Sequence, residues 1–348
     1  MAVDLDLLGI KALDRAEIEA LVADLGQPRF RASQIEHWLY GRGAASFAEM
    51  TDLPAGLRDA LADRLALSAP SILQHQQSAD GTRKYLIGLA GGASIEAVGL
   101  PSGDRLTVCF STQAGCAMGC AFCATGVGGL TRDLGPGEMV DQVRLVAKDF
   151  DRRITNAVAM GQGEPFANYD ATLGALRFMN AERGLGIGAR HLTISTCGLV
   201  SGIRRLAEEP EQFTLAVSLH SAVQATRDRL MPGVRALRLP QLRESLVTYA
   251  EKTGRRPSLE YALIDGVNDS PAELRSLIDF CRGMLVHVNL IAINPVSEAG
   301  FSRGPAERLS AFEHALRDNG IDVSLRAERG SDIDAACGQL RQQHTAST

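Results

Sequence analysis

The chain contains no run of about eighteen consecutive apolar residues, roughly the length a helix needs to cross a bilayer, so no membrane span is expected. It also lacks the basic-then-apolar order of a secretory leader. It opens Met1-Ala2-Val3-Asp4-Leu5-Asp6, and a cytoplasmic protein is expected. There is no surplus of positive charge either. The formal net charge is −5, which argues against a polyanion bound over the whole surface and leaves a local basic face as the way to hold one. No internal repeat of fixed period and no long low-complexity linker occur. What is present is a globular composition, 45% hydrophobic and 22% charged over 348 residues, long enough for a barrel-sized catalytic domain with an extra module. The seven cysteines are an odd number, and three of them crowd between positions 116 and 123. That fits metal and redox chemistry in a reducing compartment better than a disulfide framework.

Along the chain, residues 1–70 read as helical. Asp14 is placed to cap a helix through Ile18, Leu21 and Val22, with Gly26 past its end. A second helix is expected around Ser33 to Tyr40, and a third after Pro54, with Leu57, Leu61 and Leu65 at i, i+4, i+8. From residue 71 the period changes to that of strands, with a hairpin turn at Ala79-Asp80-Gly81 and further strands over Ser94–Val98 and Arg105–Phe110. After residue 130, helices and strands alternate. The strands, rich in Val, Ile and Leu, predict a parallel sheet covered by helices, with about six βα units making an incomplete barrel.

The stretch Gly115-Cys116-Ala117-Met118-Gly119-Cys120-Ala121-Phe122-Cys123 sets three thiols at C-x3-C-x2-C spacing among small residues. Such a loop can wrap thiolates around one soft metal centre. A structural zinc wants four closed ligands and this loop offers three. Three sulfurs on a four-iron cluster leave one iron open for chemistry. In parallel α/β architectures function collects at the carboxyl ends of strands, and there this chain places Gly161-Gln162-Gly163-Glu164, Ser195-Thr196-Cys197-Gly198, Ser218-Leu219-His220-Ser221, Asp265-Gly266-Val267-Asn268-Asp269 and Asn294. Together they describe a polar cup. Gly163-Glu164 offers a carboxylate to an ammonium group, while Ser195, Ser218 and Asn294 offer hydrogen bonds to hydroxyls and a carboxylate. Those are the groups of S-adenosylmethionine, a ligand able to hold an open iron by its amine and carboxylate.

The triplet followed by Gly163-Glu164-Pro165 resembles the radical S-adenosylmethionine enzymes. More closely, Phe30-Arg31-Ala32-Ser33-Gln34-Ile35, Phe122-Cys123-Ala124-Thr125-Gly126, Ser218-Leu219-His220, Gly266-Val267-Asn268-Asp269 and Asp332-Ile333-Asp334-Ala335-Ala336-Cys337-Gly338-Gln339-Leu340 resemble the RlmN/Cfr family of RNA adenine methyltransferases, from about residue 7 to 341. The resemblance implies an α/β fold, a partial (β/α)6 radical S-adenosylmethionine barrel over 105–348. It adds a small helical domain over 1–70 and a β extension over 71–104. It implies a [4Fe-4S] cluster on Cys116, Cys120 and Cys123, and S-adenosylmethionine held by Gly163, Glu164, Ser195, Ser218, Leu219, His220 and Asn294, two molecules per turnover. It further implies a methyl-carrying Cys337, a resolving Cys109 that forms a disulfide with it, and Glu96 as base. Carbon 2 of adenine is electrophilic, so direct transfer from a sulfonium cannot reach it, and a methyl parked on a protein sulfur avoids that obstacle. Two positions depart from the family pattern, Cys197 for a small non-thiol residue and Gln162 for a methionine.

The implied partners are 23S rRNA and tRNA, with an external low-potential electron donor. A monomer is expected. To reconcile RNA with the acidic charge, a basic lane is expected from Arg132, Arg152, Arg153, Arg190, Arg204, Arg205, Arg255, Arg256, Arg303 and Arg326. Two other readings stay open at this point. One is the sister activity at carbon 8 of the same base. The other is a zinc-stabilised RNA-binding protein without catalysis.

Overall fold

The computed structural model describes residues 9–67, 69–182, 184–294, 300–326, 329–336 and 338–340. Asp14 starts the first helix, Arg15–Asp24, with a reciprocal cap: its side chain accepts from the Glu17 N–H, and Glu17 accepts from the Asp14 N–H. The second helix begins earlier than expected, at Phe30, and runs to Glu36, continuing as a wider π turn over His37–Arg42. The third spans Ala55–Arg64, and Leu57, Leu61 and Leu65 are buried, each contributing about 1.5–3 kcal/mol. These helices share one continuous apolar core with the barrel. Two polar contacts pin them to the barrel helix Pro136–Phe150: a buried Lys11–Asp141 ion pair at 2.6 Å, and Arg144 Nη1 donating to the Tyr40 carbonyl at 2.5 Å.

Twelve strands occur among the described residues: β1 Ser71–Gln77, β2 Arg83–Gly88, β3 Ser94–Ser102, β4 Arg105–Cys109, β5 Gln113–Gly115, β6 Leu130–Asp133, β7 Asn156–Ala159, β8 Leu192–Thr196, β9 Thr214–Ser218, β10 Ser258–Leu263, β11 His287–Ala292 and β12 Asp322–Leu325. Ten form one sheet in the order β1-β2-β3-β4-β7-β8-β9-β10-β11-β12. The first three pairings are antiparallel, and from β4 onward all are parallel. Seven parallel strands joined by six crossovers make the partial barrel. The β extension is continuous with it through the β3–β4 pairing. β3 runs on through Leu100 and Pro101 to Ser102, past the break read from sequence.

Alternation along the parallel strands divides core from cup. Leu215, Val217, Leu259, Tyr261, Leu263, Val288 and Leu290 join the helix-side core. The opposite parity carries polar groups in one row. Ser218 is paired with Glu260, Glu260 with Asn289, and Asn289 with Ser324. Side-chain bonds link part of that row, with Asn289 Nδ2 donating to Glu260 Oε1 at 2.8 Å and Ser324 Oγ donating to Asn289 Oδ1 at 2.7 Å.

The remaining pair, β5 and β6, forms a separate antiparallel hairpin. Sequence reading missed it because its strands hold three and four residues. It closes the base of the cysteine loop, where the Cys116 N–H donates to the Gly129 carbonyl at 2.8 Å.

Candidate active site at the carboxyl rim

Backbone bonds from a neighbouring segment hold the cysteine loop. The Ala121 N–H donates to the Leu230 carbonyl at 2.9 Å, and the Gly233 N–H donates to the Met118 carbonyl at 3.0 Å. Gly119 turns the loop with φ +58°, a conformation that costs little only without a Cβ. The segment from Leu230 follows a helix that sequence reading did not find, Gln224–Leu230. Its Arg227 is buried beneath the cup. Nη1 donates to the Ser218 and Leu219 carbonyls at 2.9 and 2.6 Å, and Nη2 donates to the Cys197 carbonyl at 2.6 Å. Charge-assisted bonds of about 1.5–3 kcal/mol each offset a desolvation cost of several kcal/mol, so one cation ties the ends of β8 and β9 together.

A solvent-open cleft of about 1000 Å³ lies above the cup. Cys116, Cys120 and Cys123 line it, and so do Gly163, Glu164, Ser195, Ser218, His220 and Asn294. Leu219 does not: its parity turns the side chain into the core, where it is fully buried. Its N–H is already donated to the Glu260 carbonyl and its carbonyl already accepts from Arg227. Gly163 has φ +104°, and a Cβ there would meet Gln113 at 2.7 Å, so glycine is required for the turn to pass so close.

The Glu164 carboxylate is buried, accepting from the Cys197 N–H at 2.7 Å and the Phe166 N–H at 3.0 Å. Burial raises its pKa, and these bonds pull the other way. His220 sits at φ +53°, braced by Asn268, whose Nδ2 donates to the His220 carbonyl at 2.5 Å. Burial, with Arg227 nearby, pushes the imidazole down to about 3, so it is neutral at physiological pH. Its Nδ1 accepts from the Ala262 N–H at 3.0 Å, which assigns the ring proton to Nε2. Glu260 also lines the cleft. Its Oε2 makes no hydrogen bond, and Arg326 Nη1 stands 3.5 Å away. No local sequence signal marked Glu260, Arg326 or Arg227 as one constellation, because they converge from three elements.

The thiols fit an iron–sulfur group. Desolvation pushes Cys116 up to about 11 and raises Cys120 as well, so a metal must displace their protons on binding. Among the described residues, no three His, Cys, Asp or Glu side chains are gathered as a closed metal-holding set. A four-iron cube spaces its cysteine sulfurs more widely than one tetrahedral ion does, which suits thiols spread along a cleft wall.

A second chamber of about 810 Å³ shares Cys123, Met160, Asn294 and Arg326 with the first. Cys109, at the end of β4, lines it, with Ala335, Ala336 and Gly338. Cys337 lies outside the described residues. Glu96 lines neither cavity. It is buried, not an exposed strand carboxylate, with Lys84 Nζ 3.5 Å from its Oε1. It shares a face of β3 with Val98 and Leu100, which line the second chamber.

The expected basic lane does not form. Arg152, Arg153, Arg190, Arg255 and Arg256 immediately precede strands, and so stand at the amino rim, opposite the cup. There they bond to Gly103, Gly186, Gln212, Thr214 and Asp322. Arg205 pairs with Asp170 on an outer helix, and Arg132 is held by Glu138. Arg204 shares the helix Val200–Leu206 with Arg205, Arg303 bridges to Ile264 just past β10, and Arg326 directly follows β12.

A partial (β/α) barrel with a C-x3-C-x2-C loop over a cofactor-sized cleft and a thiol in an adjoining chamber defines a radical S-adenosylmethionine methyltransferase. The superfamily model for radical SAM proteins matches residues 110–278. The model of the ribosomal RNA large subunit methyltransferase N-terminal domain matches residues 6–67. A radical SAM methyltransferase from Sphaerobacter thermophilus superposes with a TM-score of 0.85 at 47% identity, covering 96% of this chain and 99% of that one. Two proteins named probable dual-specificity RNA methyltransferase RlmN are similar over nearly their whole length. That of Desulforamulus reducens is 45% identical over 97% of both chains, and that of Symbiobacterium thermophilum is 48% identical over 94% of this chain and 89% of its own. The chain belongs to the RlmN family of radical SAM RNA methyltransferases, which carry a [4Fe-4S] cluster and use S-adenosylmethionine. Among the described residues no helix is long and apolar enough to cross a membrane.

Proposed function

We propose that the chain methylates carbon 2 of adenosine in 23S rRNA and in tRNA, at the peptidyl-transferase centre and beside the anticodon respectively. The names of its relatives and the match of its helical module to a ribosomal RNA methyltransferase domain support this substrate class. The observation that carries the reading is the second chamber. It opens beside the cofactor cleft and is lined by Cys109 and by Ala336 and Gly338, the neighbours of Cys337.

Cys116, Cys120 and Cys123 would hold the cluster. Gly163, Glu164, Ser195, Ser218, His220 and Asn294 would hold S-adenosylmethionine, with Leu219, its N–H and carbonyl taken by Glu260 and Arg227, setting the path of the rim between Ser218 and His220. When bound, these groups supply a transferable methyl and, after one-electron cleavage, a radical that removes a hydrogen. The Cys337 sulfur carries the methyl to the adenine ring. Glu96 takes the ring proton, once the Lys84 contact yields, and the Cys109 thiolate attacks the Cys337 sulfur to free the product. The cluster's electron comes from an external low-potential donor, and the chain works as a monomer. Nucleoside mass spectrometry of RNA treated with the anaerobically purified protein is expected to show 2-methyladenosine. Finding 8-methyladenosine instead would assign the sister activity, and a colourless protein making neither product would point to the zinc reading.

The RNA face is then built by Arg229, Arg235 and Arg238. All three are exposed on the segment 229–238, which braces the cysteine loop at the carboxyl rim. Phosphate contacts there would raise local RNA affinity despite the net charge. Replacing all three by glutamine is expected to weaken RNA binding across sequences and to lower the slope of log K against log salt by about two to three units. Cleavage of S-adenosylmethionine without RNA stays at wild-type rate. An unchanged salt slope would exclude this face.

A further inference from the structure

The hairpin of β1 and β2 is an edge of the sheet, far in sequence from the barrel's chemistry. Yet it exchanges hydrogen bonds with the segment that flanks Cys337. The Gly330 N–H donates to Asp80 Oδ2 at 3.3 Å, the Ala79 N–H donates to Asp332 Oδ2 at 3.3 Å, and Lys84 Nζ donates to the Asp334 carbonyl at 3.2 Å. Asp80 is itself fixed, its Oδ1 accepting from the Thr82 N–H at 2.8 Å. The approach is close enough to need glycine, since a Cβ on Gly330, at φ +62°, would stand 2.8 Å from Thr82 Cγ2. Beyond position 337 a second anchor takes over. The Ala124 N–H donates to the Gly338 carbonyl at 2.7 Å, and Thr125 Oγ1 donates to the Leu340 carbonyl at 2.7 Å. Ala335, between the anchors, and Leu340, in the second of them, pack on Val98, with Cys109 against the same cluster. Lys84, Val98 and Cys109 are cross-strand partners in one row.

We propose that this hairpin is a clamp for the methyl-carrying segment, with Asp80 as a positioning residue that fixes residues 330–336, the amino-side flank of Cys337, against the sheet that carries Cys109. The clamp rests on the reading of Cys337 as methyl carrier. One anchor belongs to the β extension and the other to the turn directly after the last cluster cysteine, so the carrier's two flanks are referenced to the resolving thiol's sheet and to the radical source. Misplacement by about 1 Å costs on the order of 10²-fold in rate, whereas the cleft that holds the cofactor does not touch Asp80. Loosening the clamp therefore uncouples methyl transfer from cofactor cleavage.

The test compares Asp80→Ala with Asp80→Asn, whose single oxygen can accept from the Gly330 N–H or the Thr82 N–H but not from both. In Asp80→Ala, methylated adenosine formed per S-adenosylmethionine cleaved is expected to fall about ten- to a hundredfold. Iron content, melting temperature and RNA-independent cleavage hold, and amide hydrogen exchange over 329–340 quickens. Asp80→Asn restores part of the ratio. An unchanged ratio in Asp80→Ala, or a loss of iron and cleavage together with methylation, overturns the clamp. Cys337→Ala in the same assay separates the two ideas. If that variant still methylates RNA, the carrier reading fails, whatever Asp80 does.

Discussion

Replacing Cys109 by alanine is expected to halt the enzyme at a covalent protein–RNA species. Cys109 lies at the carboxyl end of β4, half-buried, in the wall of the second chamber and against the cluster formed by Val98, Ala335 and Leu340. If the Cys337 sulfur delivers its carbon to the adenine ring, the product remains bonded to the protein until another thiolate attacks that sulfur. Cys281 is buried in the helix-side core, and Cys197 lines the cofactor cleft but not the second chamber. Among the described residues outside the cluster loop, Cys109 is the thiol placed for the attack. Its loss should leave S-adenosylmethionine cleavage and the first round of bond formation intact, while multiple turnover falls by roughly 10⁶-fold, the scale of removing a covalent participant. A denaturing gel should show an RNA-dependent band that nuclease trims to protein plus one nucleotide. Wild-type yields of released methyladenosine from this variant would remove Cys109 from the mechanism.

What the sequence made legible follows from local rules. The Asp14 cap, the turn at Ala79-Asp80-Gly81 and the alternation of helix with strand are encoded within a few residues, and each has its counterpart in the structure. The cup was legible because residues following a parallel strand share a rim. The same rule, applied to residues before strands, would have put Arg152, Arg153, Arg190, Arg255 and Arg256 on the far rim. They were read only as loop arginines, and the lane built from them was wrong. Leu219 shows a second limit. A motif names three consecutive residues, but alternation allows its first and third, Ser218 and His220, to face the cleft while the middle one joins the core. Arg227 was illegible because its acceptors are backbone carbonyls at 197, 218 and 219. In Gln-Ala-Thr-Arg-Asp-Arg-Leu it looks like one more solvated charge on a polar helix. The burial of Glu96 likewise depends on packing around β3 that strand periodicity does not report. Asn268 reads from sequence as one more polar residue of the cup, and its work is structural: it holds Ile264, Ala262 and His220 in one network.

The largest loss is expected from Cys120→Ala. Cys120 is the middle thiol of the loop. It packs with Met118 and Phe122 against the apolar cluster of Leu230, Met231 and Ile293, and burial raises its pKa. With two thiols left, the loop cannot hold a four-iron cluster at three corners. Iron content and visible absorbance should both drop. Reductive cleavage of S-adenosylmethionine and RNA methylation should fall together by well over the roughly 100-fold that changes to outer partners of a metal ligand cost. The alanine fills less space than the thiol but leaves Gly119 and the Ala121–Leu230 and Gly233–Met118 bonds untouched, so the melting temperature of the iron-free variant should match that of iron-free wild type. Cys197→Ala is the control that gives the result its meaning. Cys197 reaches the cleft too, and it meets Glu164 through both its thiol and its backbone N–H; alanine gives up the thiol contact but keeps the N–H bond, so iron should stay bound and cleavage should persist. If Cys197→Ala lost metal as completely as Cys120→Ala, four thiols would be closing on one centre. The centre would then be a structural site, with no iron left open for the cofactor.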